Sequence, residues 1–454
     1  MIRQACIFAT AFVVAFGSVT PARSETMVDA LTSAYNNSGL LEQNRALLRA
    51  TDEDLAQAIA ATLPVINWSL SATATRPRPA GADLVQANAR ISGSLTLYDG
   101  GIGKLAVDAQ KETILATRQS LRSVEQDVLR RAVEAYMNVR RETEVVSLRE
   151  NNVRLITQEF RAAQDRFEVG EVTRTDVALA EARLAAARSQ LAAAEGARAR
   201  AAEEFRAAVG RAPNAPVPAT PAPVSRNLDE AKAFAVRNHP SILETQHAVS
   251  AAELNIRRAE AALRPSVSLQ GFIGTDADFD DSRQIGIQAG GPIYSGGRLS
   301  SQIRQFMSRR DATRAGLHLT RLGVEQQVGN AFAFLTVARA SRTASDQQIA
   351  AAQVAFNGVR EEAAVGARTT LDVLNAEQEL LDARANMISA QADEVIASYA
   401  LLAAMGLLTA DHLRLPVQQY DPTIYYNMAK DAPAVNSAQG QALDRVLRAI
   451  GEQQ

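Results

Sequence analysis

The sequence predicts a mainly α-helical chain with a small β part, built as two copies of one unit. Three observations predict it. The stretches Phe167-Glu-Val-Gly-Glu-Val-Thr-Arg-Thr-Asp176 and Ala364-Val-Gly-Ala-Arg-Thr-Thr-Leu-Asp372 carry the same turn, with Gly170 and Gly366 standing 196 residues apart, as do Asp176 and Asp372. The register persists after each turn: Val177, Leu184 and Leu191 match Val373, Leu380 and Met387, while Ala180, Ala187, Ala194 and Ala201 match Ala376, Ala383, Ala390 and Ala397. Around the turns run long helical patterns and, further out, paired stretches that alternate apolar with polar residues. Each unit therefore holds a helical hairpin whose tip is the turn, plus two strands.

Residues 1–24 read as a secretory signal, with Arg3 as the basic region, Ala5 to Phe16 as the apolar stretch and Ala22-Arg-Ser24 as the cleavage motif. Cys6, the one cysteine, lies inside that stretch and leaves with it. The processed chain then has neither a disulfide nor an N-terminal cysteine for lipid attachment. No later apolar run has the length of a membrane-spanning helix. Entry into a membrane would have to be as β-barrel.

The first unit occupies 25–211. Met27 to about Leu63 is a helical pattern that Pro64 stops. Ile66, Trp68, Leu70, Ala72 and Ala74 then alternate with polar partners, and after a loop marked by Pro77, Pro79 and Gly81 the alternation resumes from Val85 to Leu97. These strands, about 65–98, are apolar on one face, as in a membrane barrel wall; a soluble sandwich shows the same alternation. Tyr98-Asp-Gly-Gly101 ends them. From about Lys104 to Phe167 no proline or glycine interrupts the helix, a rod of roughly 95 Å. Val146, Val153, Phe160 and Phe167, with Ile156 and Ala163, form its coiled-coil seam. The tip is 169–176, where Gly170 permits φ > 0 and Thr175 or Asp176 offers a capping oxygen. Asp176 to about Val209 returns.

Residues 212–227 are proline-rich and predict an extended connector. The second unit, 228–408, repeats the plan: one helix from Leu228 to Leu263, strands at about 266–294 around an acidic loop from Gly274 to Asp281, and Tyr294-Ser-Gly-Gly297. A helix from about Leu299 to Ala363 then leads to the tip at 365–372, and the return helix runs to about Leu407. The segment 409–454 has no copy in the first unit; Gln441 to Ile450 predicts a short helix beside the rods.

Four strands cannot close a membrane barrel, and open edges cannot face lipid. The barrel must be shared between chains; three give twelve strands and two give eight, and periodicity does not choose. The doubled order of helix, Pro, strand pair, Tyr-x-Gly-Gly, long helix, Val-Gly-x-x-x-x-Thr/Leu-Asp turn and Ala-seamed helix resembles the TolC-like outer-membrane channel family over about residues 27–408. The resemblance implies a homotrimer with a twelve-stranded barrel among outer-membrane lipids. It implies a helical tunnel across the periplasm, docked through a periplasmic adaptor protein to an inner-membrane transporter, ABC-type or proton-driven. The absent lipidation cysteine is similar to the secretion-type and general-export branch.

No enzyme constellation appears: His239, His247, His318 and His412 are scattered, and no phosphate loop or His-x-x-x-His spacing occurs. Neither a cofactor nor a metal is expected, and a net charge of −2 makes no electrostatic case for nucleic acid. The tips are the candidate sites. A threefold ring of carboxylates there would favour cations. Asp372 resembles the family's pore-constricting aspartate, whose second ring falls at Asn375 here. Arg368 resembles the arginine that bonds to the facing tip in the closed state, which makes Thr175 and Asp176 its expected partners; a bracing tyrosine falls at Ala363, so one latch is absent. The resemblance thus implies an iris-like gate at the tips. Val169, Gly170, Val365 and Gly366 are the candidate adaptor-docking surface. The plainer reading keeps Thr175, Asp176, Thr370 and Asp372 as helix caps and the glycines as helix stops. An export duct for proteins or small molecules accounts for strands, rods and signal together. The alternative, a periplasmic coiled-coil adaptor or scaffold without a pore, leaves the matched strand pairs unexplained.

Overall fold

The computed structural model describes residues 24–74, 76–77, 85–225 and 227–452. The signal sequence as far as Arg23, with Cys6, falls outside the described residues, as do Pro79 and Gly81. In chain order the elements are α1 (Met27–Asn37), α2 (Gly39–Ala60), β1 (Val65–Ala74), β2 (Val85–Tyr98), α3 (Ile102–Glu168) and α4 (Arg174–Val209). The second unit follows with α5 (Leu228–Asn238), α6 (Pro240–Ala261), β3 (Ser266–Asp276), β4 (Asp281–Gly290), α7 (Arg298–Ala364) and α8 (Thr370–Ala404). The helices α9 (Pro422–Ala429) and α10 (Ala438–Glu452) complete the chain.

The two rods α3 and α7 have 67 residues each, which at about 1.5 Å per residue makes each ~100 Å long. Both start from a glycine pair: Gly101 and Gly297 cap them at φ +94° and +82°, a left-handed backbone that strains a residue with a side chain. The seam predicted in α3 is present. Val146, Ile156 and Ala163 are buried there, and Ile156 meets Leu184 and Ala187 of α4. The matching cluster of the second hairpin joins Ala352 and Phe356 of α7 to Val373, Leu380 and Ala383 of α8. Phe167, predicted in the seam, is exposed at the end of the rod.

Several predicted boundaries differ in the structure. The first helix is broken at Ser38, whose hydroxyl accepts from the Leu41 amide and starts α2 afresh. Its counterpart breaks at His239, followed by Pro240 at the start of α6; proline lacks the amide an unbroken helix needs. The acidic loop is shorter than predicted, because β3 and β4 pair as far as Thr275 with Asp281, and β4 ends at Gly290, short of Ile293. Beyond residue 409, α9 was not legible in the sequence, and α10 extends past the predicted Gln441 to Ile450.

The strands form one antiparallel sheet in the order β1-β2-β3-β4. Ile66 pairs with Gly93, Gly93 with Gly271 and Gly271 with Ile285; Trp68 pairs with Ile91, and Ile91 with Ile273. One face is thus apolar, and its Ile66, Trp68, Leu70, Ile285 and Ile287 are exposed. The other face carries Asn67, Ser69, Asn88, Ser92, Gln270 and Gln284. Strands of 10 to 14 residues have the length of barrel strands that cross a bilayer. Among the described residues no helix is long and apolar enough to do so.

Below the sheet, α2, α3, α6 and α7 stand side by side in that order; towards the tips the order is α4, α3, α8, α7. The core lies where α1, α3, α4 and α8 converge around Leu31, Leu129, Tyr136, Phe205 and Leu402. The proline-rich connector is strapped to it. The Tyr136 hydroxyl lies 2.8 Å from the carbonyls of Glu25 and Val217, and the Ala222 amide donates to Ser398 Oγ at 2.8 Å.

Candidate functional site

The two tips have the same backbone solution. After α3 the Gly170 amide donates to the Phe167 carbonyl and the Glu171 amide to that of Arg166; after α7, Gly366 and Ala367 do the same to Ala363 and Glu362. This pair of bonds is the Schellman ending, and it places Gly170 and Gly366 at φ +80° and +78°. Neither glycine has any atom near its missing Cβ, so each is needed for its backbone angle and not for space. Val169 and Val365, just before them, are exposed, Val365 by 81%. The four proposed docking residues therefore do lie at the surface of the tips.

The caps are displaced by a few residues from the expected ones. Thr173 and Thr369 are the N-caps, each accepting from the amide three residues on, while Asp176 and Asp372 return the bond to the threonine amides at 2.9 and 3.0 Å. These are reciprocal capping boxes. The pattern Thr-x-x-Asp was there to be read in both copies. Thr175 and Thr370, expected as caps, lie inside the first turn instead. The Thr173 hydroxyl and then its amide hold Asp176 below the usual carboxylate range; the Thr369 amide and then its hydroxyl do so for Asp372, with Arg368 adding a smaller pull.

Arg368 lies on its own hairpin, its Nε donating to Glu362 Oε2 at 2.8 Å with both side chains half exposed. Among the described residues of one chain it makes no ion pair with Asp176. The link between hairpins runs elsewhere: Arg183 of α4 donates to Asn375 Oδ1 of α8 at 2.9 Å. Asn375, expected in a pore ring, is thus occupied in joining the outer hairpin to the inner one. Above it Glu377 is buried between helices. Arg183, Glu362 and Glu377 were not singled out from the sequence, where each looked like one more charge on a solvated helix.

The outer membrane efflux protein family model matches residues 30–211 and 234–407. Outer membrane efflux protein BepC of Brucella suis biovar 1 (strain 1330) is 39% identical over 426 residues, covering 90% of this chain and 91% of that protein. The chain belongs to the outer membrane efflux protein family. Alkaline protease secretion protein AprF of Pseudomonas aeruginosa is 26% identical over 320 residues, 66% of each chain. The Campylobacter jejuni CmeC outer membrane channel has the same fold, with a TM-score of 0.75 at 14% identity, covering 90% of both chains.

As a member of this family, the protein is an outer-membrane efflux channel and not an enzyme, with rods that extend into the periplasm. The poreless-scaffold alternative falls with that membership and with the single paired sheet that its four strands make. Among the described residues no group of three or more histidine, cysteine or acidic side chains is placed to hold a metal ion.

Proposed function

We propose that three chains close one twelve-stranded barrel and one helical tunnel, which opens at the tips when a periplasmic adaptor and an inner-membrane transporter dock. The open edges of the single chain carry this reading. β1 and β4 each leave one side unpaired, and unpaired strand edges are not tolerated in lipid. Below them the edge helices are α2 and α4 on one side and α7 on the other. Leu40 and Leu47 of α2, Leu179 of α4, and Leu319, Phe334, Val337 and Val354 of α7 are exposed along those edges. Joining β4 and α7 of one chain to β1, α2 and α4 of the next covers both the strand edges and the apolar helix faces.

In this assembly α7 of one chain borders α4 of the next. Arg368, at the α7 end, then becomes available to Thr175 and Asp176 of the neighbouring chain, which makes the latch a contact between chains. Arg183–Asn375 restrains the same inner hairpin from within its own chain. Asp372, partly covered by its capping box, supplies the acidic ring at the entrance, with Val169, Gly170, Val365 and Gly366 as the docking surface. The cargo is a protein or a small molecule. Mass measurement of the detergent-solubilised protein is expected to return three chains, and a monomer in mild detergent would overturn the shared barrel. In planar bilayers, conductance is expected to be small and to rise in Arg368→Ala and again in Arg183→Ala. Equal conductance in all three proteins would remove the latch.

A further inference from the structure

The inner return helix α8 has two buried stripes. Val373, Leu380 and Ala383 face α7, in one cluster with Ala352 and Phe356. Leu374, Glu377 and Leu381 form the second stripe, and all three are buried. Besides α7, α8 packs against α3, with α4 touching it only slightly, and Glu159 of α3 is close enough to Glu377 to act on its charge. The second stripe is therefore the seat of the inner hairpin on the outer one, and a carboxyl group stands in the middle of it.

Glu377 is 7% exposed, and its Oε2 is buried without a hydrogen-bond partner. Glu159 of α3 opposes it with like charge, Arg360 of α7 attracts it, and Arg183 of α4 is occupied by Asn375. A carboxylate buried without a partner is costly, whereas a neutral carboxyl of the same shape is tolerated. We propose that Glu377 is a gate-positioning residue: in its neutral form it seats α8 on α3, and in its ionised form it drives the inner hairpin off that seat. The proposal rests on the tip gate described above.

Burial, then the charge of Glu159, push the Glu377 carboxyl up to about 7 from an ordinary value of 4.5. The seated state holds its proton over a pH range in which the parted, hydrated state has lost it. Seating is therefore strongest at low pH and is lost as pH rises from about 4.5 through 7. Within that window the ratio of seated to parted hairpins falls by up to about tenfold per pH unit. The matching residue of the first unit, Glu181, is exposed on α4 and has no such effect.

The test is a distance measurement between spin labels at Glu171→Cys and Ala367→Cys, both exposed tip positions, in the full chain carrying Cys6→Ala. It is run from pH 5 to 8 beside bilayer conductance. The wild-type tips are expected to part with rising pH, the change falling between about pH 4.5 and 7. Glu377→Gln, which copies the neutral form, keeps the low-pH distance throughout. Glu159→Gln removes the like charge that opposes ionised Glu377, so its tips part less and only at higher pH, a change that a purely structural role for Glu377 does not produce, and Glu181→Gln follows the wild type. A Glu377→Gln profile that tracks the wild type, or wild-type tips that do not respond to pH, would overturn the proposal. Tips that part in the expected way while conductance stays constant would uphold the seat and place the gate elsewhere.

Discussion

The two hairpins share a sequence plan and differ in surroundings. Their turns superimpose residue by residue in kind: Schellman glycines at 170 and 366, N-cap threonines at 173 and 369, reciprocal aspartates at 176 and 372. Yet α4 packs mainly against α3 in the single chain, whereas α8 lies between α7 and α3. Positions related by 196 residues accordingly do different work. Glu181 is solvated and Glu377 is buried; Leu179 is exposed and Asn375 is bonded across to Arg183. Duplicated sequence conserves what is local, the helix ends and the heptad seam, and each environment then gives the outward-facing positions their separate roles.

The largest effects should be equal in the two hairpins. Leu184→Ala and Leu380→Ala each remove a side chain from a buried seam and should each cost about 2–5 kcal/mol, read as lowered midpoints in thermal unfolding of detergent-solubilised protein. A clearly larger loss at Leu380 would mean that the inner seam alone carries the hairpins.

The tip glycines come next. Gly170→Ala and Gly366→Ala force a left-handed backbone on a residue with a Cβ, at about 1–2 kcal/mol each. Stability should fall alike in both, while conductance should change only in Gly366→Ala if the inner hairpin moves. Thr173→Ala and Thr369→Ala lose a cap worth about 1 kcal/mol, with the same division expected between stability and conductance.

Acidification should have the smallest effect. Asp176 and Asp372 are held below the usual carboxylate range by their threonines, so the capping boxes are complete above pH 4 and come apart as pH falls below it. Fraying should then appear as rising amide exchange at both tips together. Glu377 runs in the opposite direction, firmest in acid, so the response of the inner tip to pH separates the two processes.

The helices, strands and turns were legible because their signals are local: a period of two from Ile66 to Ala74, a period of seven along Ala180, Ala187 and Ala194, and glycine where φ turns positive. The break at Ser38 was hidden because the apolar period continues across it, whereas Pro240 marks the one at His239 in the sequence itself. Within the site, Asp176 and Asp372 were expected as caps themselves, as were Thr175 and Thr370, whereas the caps are Thr173 and Thr369 with the aspartates bonded back to them. Counting three residues back from each aspartate locates Thr173 and Thr369. Arg368 was found without its partner Glu362. Nothing in the sequence distinguishes Glu377 from the solvated glutamates around it.

By itself the sequence determined the doubled architecture, the rods, the amphipathic sheet and the two tips. Each of these follows from spacing along the chain, and spacing is preserved in one dimension. Only the tertiary structure decided which of two equivalent residues is buried, that Asn375 meets Arg183, and that β1, β4 and α7 remain open as edges. Those outcomes depend on which helix stands beside which, a matter of packing between segments far apart in the chain.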